Sequence, residues 1–257
     1  LRAIAFLGVF VSHTGSTFFD ACGRWGVSVF FVLSGFLMTY NYYGCNKIRQ
    51  TSVRRNIYFA WNKIKVLYPL HIVTMLAMLA FSFTGSHKDS IPQVIVKLIL
   101  NVFLVQDWIP LHDESFNVPA WYLCAAVFAY FCFPWILKRM EKDYSVKKAK
   151  QMVVVLFLIQ VFIGLAGFYL SKIWIFYIGG ENWWEASIIS WFVYRFPLSR
   201  IPDFAIGCNM GYLYLTRNDG DGYGSKGICT KLELFAAALS IISCVCRQAV
   251  VFRAAEW

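Results

Sequence analysis

Three stretches of this chain, Val66 to Phe83, Pro119 to Leu137 and Val153 to Ile173, are apolar and almost free of charge. Each approaches the roughly 20 residues that carry a helix across a bilayer. A backbone in lipid must satisfy its own hydrogen bonds, so such segments become helices. The rest of the sequence agrees, with 59% hydrophobic and 15% charged residues, where a soluble domain carries about 25% charge. Mean hydropathy is +0.55. A soluble α/β enzyme is excluded, and the expected fold is an all-α, polytopic membrane bundle forming a single domain over residues 1–257.

The net charge of +10 does not indicate a nucleic-acid partner. The cations sit in short loops beside apolar runs, where the positive-inside rule places them. Residues 44 to 65 carry Lys47, Arg49, Arg54, Arg55, Lys63 and Lys65 without an acid, and residues 138 to 150 carry Lys138, Arg139, Lys142, Lys147, Lys148 and Lys150 against Glu141 and Asp143. Both loops are assigned to the cytoplasm. Between them QDWIPLHDESFN holds Asp107, Asp113 and Glu114 with no Lys or Arg, and Trp108 as an interfacial anchor. That stretch is assigned to the outside.

Returning to the cytoplasm by residue 138 takes an even number of crossings after residue 65, yet three apolar runs fill the interval. The middle run, PQVIVKLILNVFLV, is the shortest and contains Lys97 and Asn101. It is read as a re-entrant or interfacial helix, which suits an apolar run of this length. The expected crossings are helix 1 outward, 27–43 inward, 66–84 outward, 119–137 inward, 152–173 outward, 204–215 inward and a last helix in LELFAAALSIISCVC outward. That makes about seven. The stretch IFYIGGENWWEASIISWFVYRFP reads as an outer loop with a short interfacial helix. No cleavable signal peptide is evident, and the start at Leu1 together with the end just after an apolar stretch reads as a piece of a longer protein.

Cys124, Cys132, Cys208, Cys244 and Cys246 fall in apolar segments, where cysteine behaves as a small hydrophobe. No His or Cys spacing suits zinc, so neither a metal nor a required disulfide is expected.

The first apolar segment, LRAIAFLGVFVSH, carries Arg2 and His13 eleven residues apart. That is three helical turns, which puts both on one face about 16 Å apart along the axis. Ionisable side chains in a membrane are costly, and so mark a functional site. A neutral histidine can act as general base on a hydroxyl, or can merely bond a neighbouring helix. Arg2 either clamps an anionic group or anchors the helix end by snorkelling. Lys63 and Lys65 suit donor phosphates, and are also ordinary flanking cations. His71, one turn on, either joins the site or packs. In GVSVFFVLSGFLM the small residues Gly26, Ser28, Ser34 and Gly35 let helices approach, and the Ser34–Gly35 pair offers backbone to a ligand. FNVPAWYL sets Asn117, Trp121 and Tyr122 beside a helix start, which suits a polar acceptor or an aromatic belt. In RIPDFAIG, Arg200 and Asp203 form an ion pair, a cap or part of a site. His87 and His112 have no evident partner.

These segments together resemble the membrane-bound acyltransferase family 3. LRAIAFLGVFVSH is similar to that family's Arg-x10-His segment, and GVSVFFVLSGFLM to its second-helix motif. KIKVLYPLHIV resembles its basic-x-x-basic start of helix 3, and LVQDWIP with FNVPAWYLC its outer loop and following Trp helix. FPLSRIPDFAIGCNMGYL is similar to its late Arg-x-Pro-x-Phe-x-x-Gly segment. Val66 stands where many members carry a base, and Ala126 where one large branch carries an acid. The resemblance implies about ten membrane helices, so the chain is expected to lack the start of helix 1 and the last two or three. It further implies transfer of an acyl group, commonly acetyl, from cytoplasmic acyl-CoA to a hydroxyl of a cell-envelope or extracellular carbohydrate, in a bacterial plasma membrane. His13 and Arg2 would then be catalytic, Lys63, Lys65, Ser34 and Gly35 would hold acetyl-CoA, and Asn117, Trp121, Tyr122 and Arg200 would bind the acceptor. The rival readings are a transporter or channel, against which stands the absence of an inverted repeat, and a non-catalytic member of the family.

Overall fold

The computed structural model describes residues 2–13, 20–45, 48, 51–82, 90–110, 116–142, 144–177 and 183–218. The described residues form α-helices joined by short turns, with no strand among them. The terminal hydrophobic segment, the Gly-rich loop before it, Lys47, Asp113, Glu114, His87 and His112 lie outside the described residues. The helices are α1 (Arg2–Ser12), α2 (Asp20–Tyr42), α3 (Val53–Ile64), α4 (Tyr68–Ser82), α5 (Ile91–Val102), α6 (Trp121–Lys142), α7 (Val146–Tyr177), α8 (Trp183–Tyr194) and α9 (Pro197–Asn218). Three are long and apolar enough to span a membrane: Cys22–Tyr42, Trp121–Lys142 and Val146–Leu170. The chain divides into two compact units.

The first unit comprises Leu1–Arg49, Trp135–Glu181 and Ile201–Trp257. Glycines bring its helices together. A Cβ on Gly8 would lie 2.9 Å from the Cys22 carbonyl oxygen, and one on Gly26 would lie 2.8 Å from Val9 Cγ2. Rising numbers in α1 meet falling numbers in α2, so the two run antiparallel and seal Ala5 at 0% exposure. Farther along α2, Gly35 has its α-carbon against the Phe204 carbonyl, while Gly207 and Gly211 meet Val32 and Phe36. There the numbers rise together, so α2 and α9 run parallel. Small residues at a crossing let backbones approach, which supplies the packing that drives association in lipid. Val153 and Leu156 of α7 pack with Ile206 and Met210 of α9.

The second unit comprises Gln50–Pro134 and Asn182–Arg200. Ser52 caps α3 by accepting from the Arg55 amide at 3.3 Å. Asn56, Ala60 and Ile64, four residues apart, bury one face of α3. Asn56 Nδ2 donates to the Phe131 carbonyl at 3.1 Å. The span expected over 66–84 appears as α4, a single helix of 15 residues, too short to cross by itself. The chain bends by 71° between α3 and α4, because Pro69 in the first turn of α4 has no N–H for the carbonyl four residues earlier. Only as a bent pair do α3 and α4 make a fourth possible crossing. Among the described residues three helices, or four if the bent pair is one span, are long and apolar enough to cross, and the last of the about seven expected crossings lies outside them. The middle run does form a short helix, α5, with a Ser90/Gln93 capping box at its start. Tyr68 Oη donates to the Val102 carbonyl at 2.8 Å and ties α4 to α5. Ile64, Leu104 and Leu123 form a buried cluster beside them.

Candidate functional site

α1 extends from Arg2 to Ser12, with His13 the first residue past its last turn. The helix therefore sets the pair at its two ends, on one face by the eleven-residue spacing. Both side chains are exposed. The His13 ring is oriented by its own helix. Nδ1 lies 2.7 Å from the Val9 carbonyl oxygen and 3.3 Å from Ser12 Oγ. Ser12 spends its hydroxyl proton on the same carbonyl, at 2.7 Å. A carbonyl only accepts, so in the neutral ring the proton sits on Nδ1 and the Nε2 lone pair is left as a base. This is the orientation that a general base acting through Nε2 requires.

Ser34 and Gly35 lie in the same unit. Gly35 has the α9 backbone against its α-carbon, so that face is filled by helix packing and not open to a donor. Ser34 is half-buried. Asp203, read from sequence as an ion-pair or capping residue, is buried and accepts from Ser28 Oγ at 3.1 Å, which joins α9 to α2 by a polar contact.

The remaining candidates belong to the other unit. Lys63 and Lys65 stand at the α3 end of the bend. Lys63 Nζ lies 5.4 Å from the centre of the Phe59 ring, and Lys65 Nζ donates to Asn62 Oδ1 at 2.9 Å. Lys63 rides on the last turn of α3, and Lys65 is its C-cap, the first residue of the turn that follows. His71 packs: at 4% exposure, its Nε2 lies 3.0 Å from the Asn101 carbonyl.

Asn117, Trp121, Tyr122 and Arg200 are brought together unevenly. Asn117 is half-buried and donates through Nδ2 to Thr74 Oγ1 at 2.9 Å, which fixes it against α4. Trp121 and Arg200 meet over Tyr194. The Arg200 guanidinium lies 4.4 Å from the Tyr194 ring centre and 5.5 Å from that of Trp121. Its Nε donates to the Tyr194 carbonyl at 2.7 Å. The Trp121 and Tyr194 rings are 4.8 Å apart. Arg200 is 0% exposed and Trp121 8%, so these two hold each other rather than present an open face to a sugar. Tyr122 remains half-buried, its ring 6.3 Å from that of Trp121.

Asp107 is 0% exposed, and its carbonyl accepts from Trp191 Nε1 at 3.1 Å. Trp108 packs edge-on against Phe128 at 4.8 Å and Phe196 at 5.5 Å. The turn Gln106–Trp108 is folded inward, a placement that local charge counting could not show.

The chain is thus a helical membrane protein with an oriented histidine at the end of its first helix and a buried arginine–aromatic cluster in its second unit. Residues 1–246 match the family model described as an acyltransferase domain, and the chain belongs to the acyltransferase 3 family. It is similar to the acyltransferase MdmB of Streptomyces mycarofaciens, at 30% identity over 159 residues. That match covers 55% of this chain and 39% of the Streptomyces protein. No solved structure matches.

Proposed function

We propose that the protein moves an acyl group, most simply acetyl, from cytoplasmic acyl-CoA to a hydroxyl of a cell-envelope or extracellular carbohydrate. Family membership supports acyl transfer, and the observation that carries the mechanism is the His13 Nδ1 bond to Val9. Nε2 takes the acceptor's hydroxyl proton as its oxygen attacks the thioester carbonyl. The C–S bond then breaks, and the departing thiolate of CoA recovers the proton from the imidazolium. Arg2 meets negative charge on the donor, and Lys63 and Lys65 serve its phosphates. On the acceptor side Asn117 and Tyr122 are the more accessible contacts, with Trp121 and Arg200 shaping the surface behind them.

The test is transfer of labelled acetyl from acetyl-CoA in membranes holding the full-length protein. His13→Ala should lower the rate between about a hundredfold and ten-thousandfold, the range of general-base catalysis. Undiminished transfer would remove His13 from the mechanism. Mass spectrometry of envelope glycans from cells with and without the gene identifies the acceptor.

A further inference from the structure

The turn between α6 and α7 closes over a second feature, a cleft of about 540 Å³ lying wholly within the first unit. Its lining combines the polar side chains of Arg139, Lys148 and Gln151 with the apolar ones of Trp135, Met152 and Leu156. Two further polar lining residues bond within the protein: Tyr144 Oη donates to Asn209 Oδ1, and Asn209 Nδ2 donates to the Ala205 carbonyl at 2.8 Å. The main-chain oxygen of Tyr144 accepts from Tyr212 Oη at 2.8 Å. Anion recognition therefore falls to the two cations of the lining, both of them exposed.

Three observations together identify the ligand. The cleft lies at the ends of two helices that are long and apolar enough to span the membrane, Trp121–Lys142 and Val146–Leu170. Its cations belong to the segment 138–150, at the facing ends of α6 and α7, which has six Lys or Arg against Glu141 and Asp143, and Glu141 is directed to the Gly44 amide at 3.3 Å and does not line the cleft. Its apolar lining residues Met152 and Leu156 belong to α7, where Leu158 and Phe162 are exposed for contact with lipid. Basic pockets between membrane helices on the cytoplasmic side suit anionic lipid headgroups, and an indole at headgroup depth is a usual interfacial anchor. The N-terminal end of α7 adds the positive pole of its helix dipole. We propose that this cleft binds one anionic phospholipid, its phosphate between Arg139 and Lys148 and an acyl chain along Met152 and Leu156.

The site is independent of the acyl-transfer reading, and so is its test. Full-length protein in a neutral detergent at low salt is titrated with dioleoylphosphatidylglycerol, dioleoylphosphatidylcholine or glycerol 3-phosphate. Native mass spectrometry counts bound lipid, and thermal unfolding follows stabilisation. Phosphatidylglycerol should bind one-to-one and raise the midpoint, and phosphatidylcholine should not. A surface cation is worth about fivefold in affinity for anionic lipid, so Arg139→Gln with Lys148→Gln should weaken binding about 25-fold. The variant's own midpoint in phosphatidylcholine is the baseline from which its lipid-induced shift is read. Met152→Asp keeps the cations but should also weaken binding, because the chain loses its wall. Equal phosphatidylglycerol binding by wild type and the double variant would overturn the site. An equal effect of glycerol 3-phosphate would overturn it too, by showing a free-anion site.

Discussion

Arg200 is the sharpest test of how the second unit is held, because its burial and its partners make a quantitative demand. Arg200→Lys keeps the charge but removes the planar fork. The Nε donor to the Tyr194 carbonyl at 2.7 Å is lost, and a hydrogen bond from a charged group contributes about 1.5–3 kcal/mol. Stacking over Tyr194 at 4.4 Å weakens as well, where a desolvated cation–π contact is worth up to about 2 kcal/mol. Lysine can recover part of each, so the net cost should be about 2–3 kcal/mol. For a chain of this size that lowers the unfolding midpoint by roughly 6–9 °C. Tyr194→Leu in the same assay removes the ring but keeps the carbonyl. If the ring carries its share, Arg200→Lys should cost about 1 kcal/mol less in the Tyr194→Leu background, a coupling well above the few tenths expected of independent sites. Aromatic fluorescence of the full-length protein in detergent reads all four midpoints. Unchanged stability in Arg200→Lys, with only the acceptor KM raised, would refute the clamp and return Arg200 to direct substrate contact.

Gly35→Leu and Gly207→Val should both break the parallel crossing of α2 and α9, since any Cβ there overlaps the facing carbonyl. Overpacking costs about 1–3 kcal/mol where the backbone can shift, so a lowered midpoint and poor recovery in detergent are expected, and wild-type stability would refute the crossing. Asn117→Ala should lower the midpoint only slightly, by the roughly 1 kcal/mol of a hydrogen bond to Thr74, while raising the acceptor KM; a changed donor KM would place Asn117 on the other substrate. Burial, then the charges of Tyr212 and Cys208, raise the Tyr144 phenol above its ordinary pKa of 10.0. The folded state thus favours the protonated ring, and the contribution of Tyr144 is complete below pH 10 and falls away as pH rises through the folded value. The stability gap between wild type and Tyr144→Phe should be constant from pH 7 to 9 and shrink above 10. A gap that widens with pH would reverse the sign.

Much of this architecture was readable because lipid imposes length. The runs at 27–43, 119–137 and 152–173 became α2, α6 and α7 with shifted ends, the run at 66–84 became the shorter α4, and the short run that parity left over became α5. The basic segment before residue 65 was harder. Counting charge marks it as a loop, whereas Asn56, Ala60 and Ile64 at four-residue spacing make it the buried face of α3. A cationic helix lying against other helices looks like a loop to any measure that weighs composition over period. Pro69 held the signal for the bend, since a proline two residues into a helix permits a new start but not a continuation.

The candidate site divides along the same line between what is local and what is not. The orientation of His13 depends on Val9 and Ser12, four residues and one residue away, so it is set within its own helix. Arg200 is different. In sequence it is one more cation before a helix, 79 positions from Trp121, and nothing nearby announces that Tyr194 will supply both a ring and a carbonyl. Asp203 likewise finds Ser28 across 175 positions. In a bundle whose surface is apolar, a side chain that titrates is tolerated where other helices supply its partners. Polar residues in such a chain are therefore recognisable as important from sequence alone, and their roles become assignable only when the helices that answer them are in place.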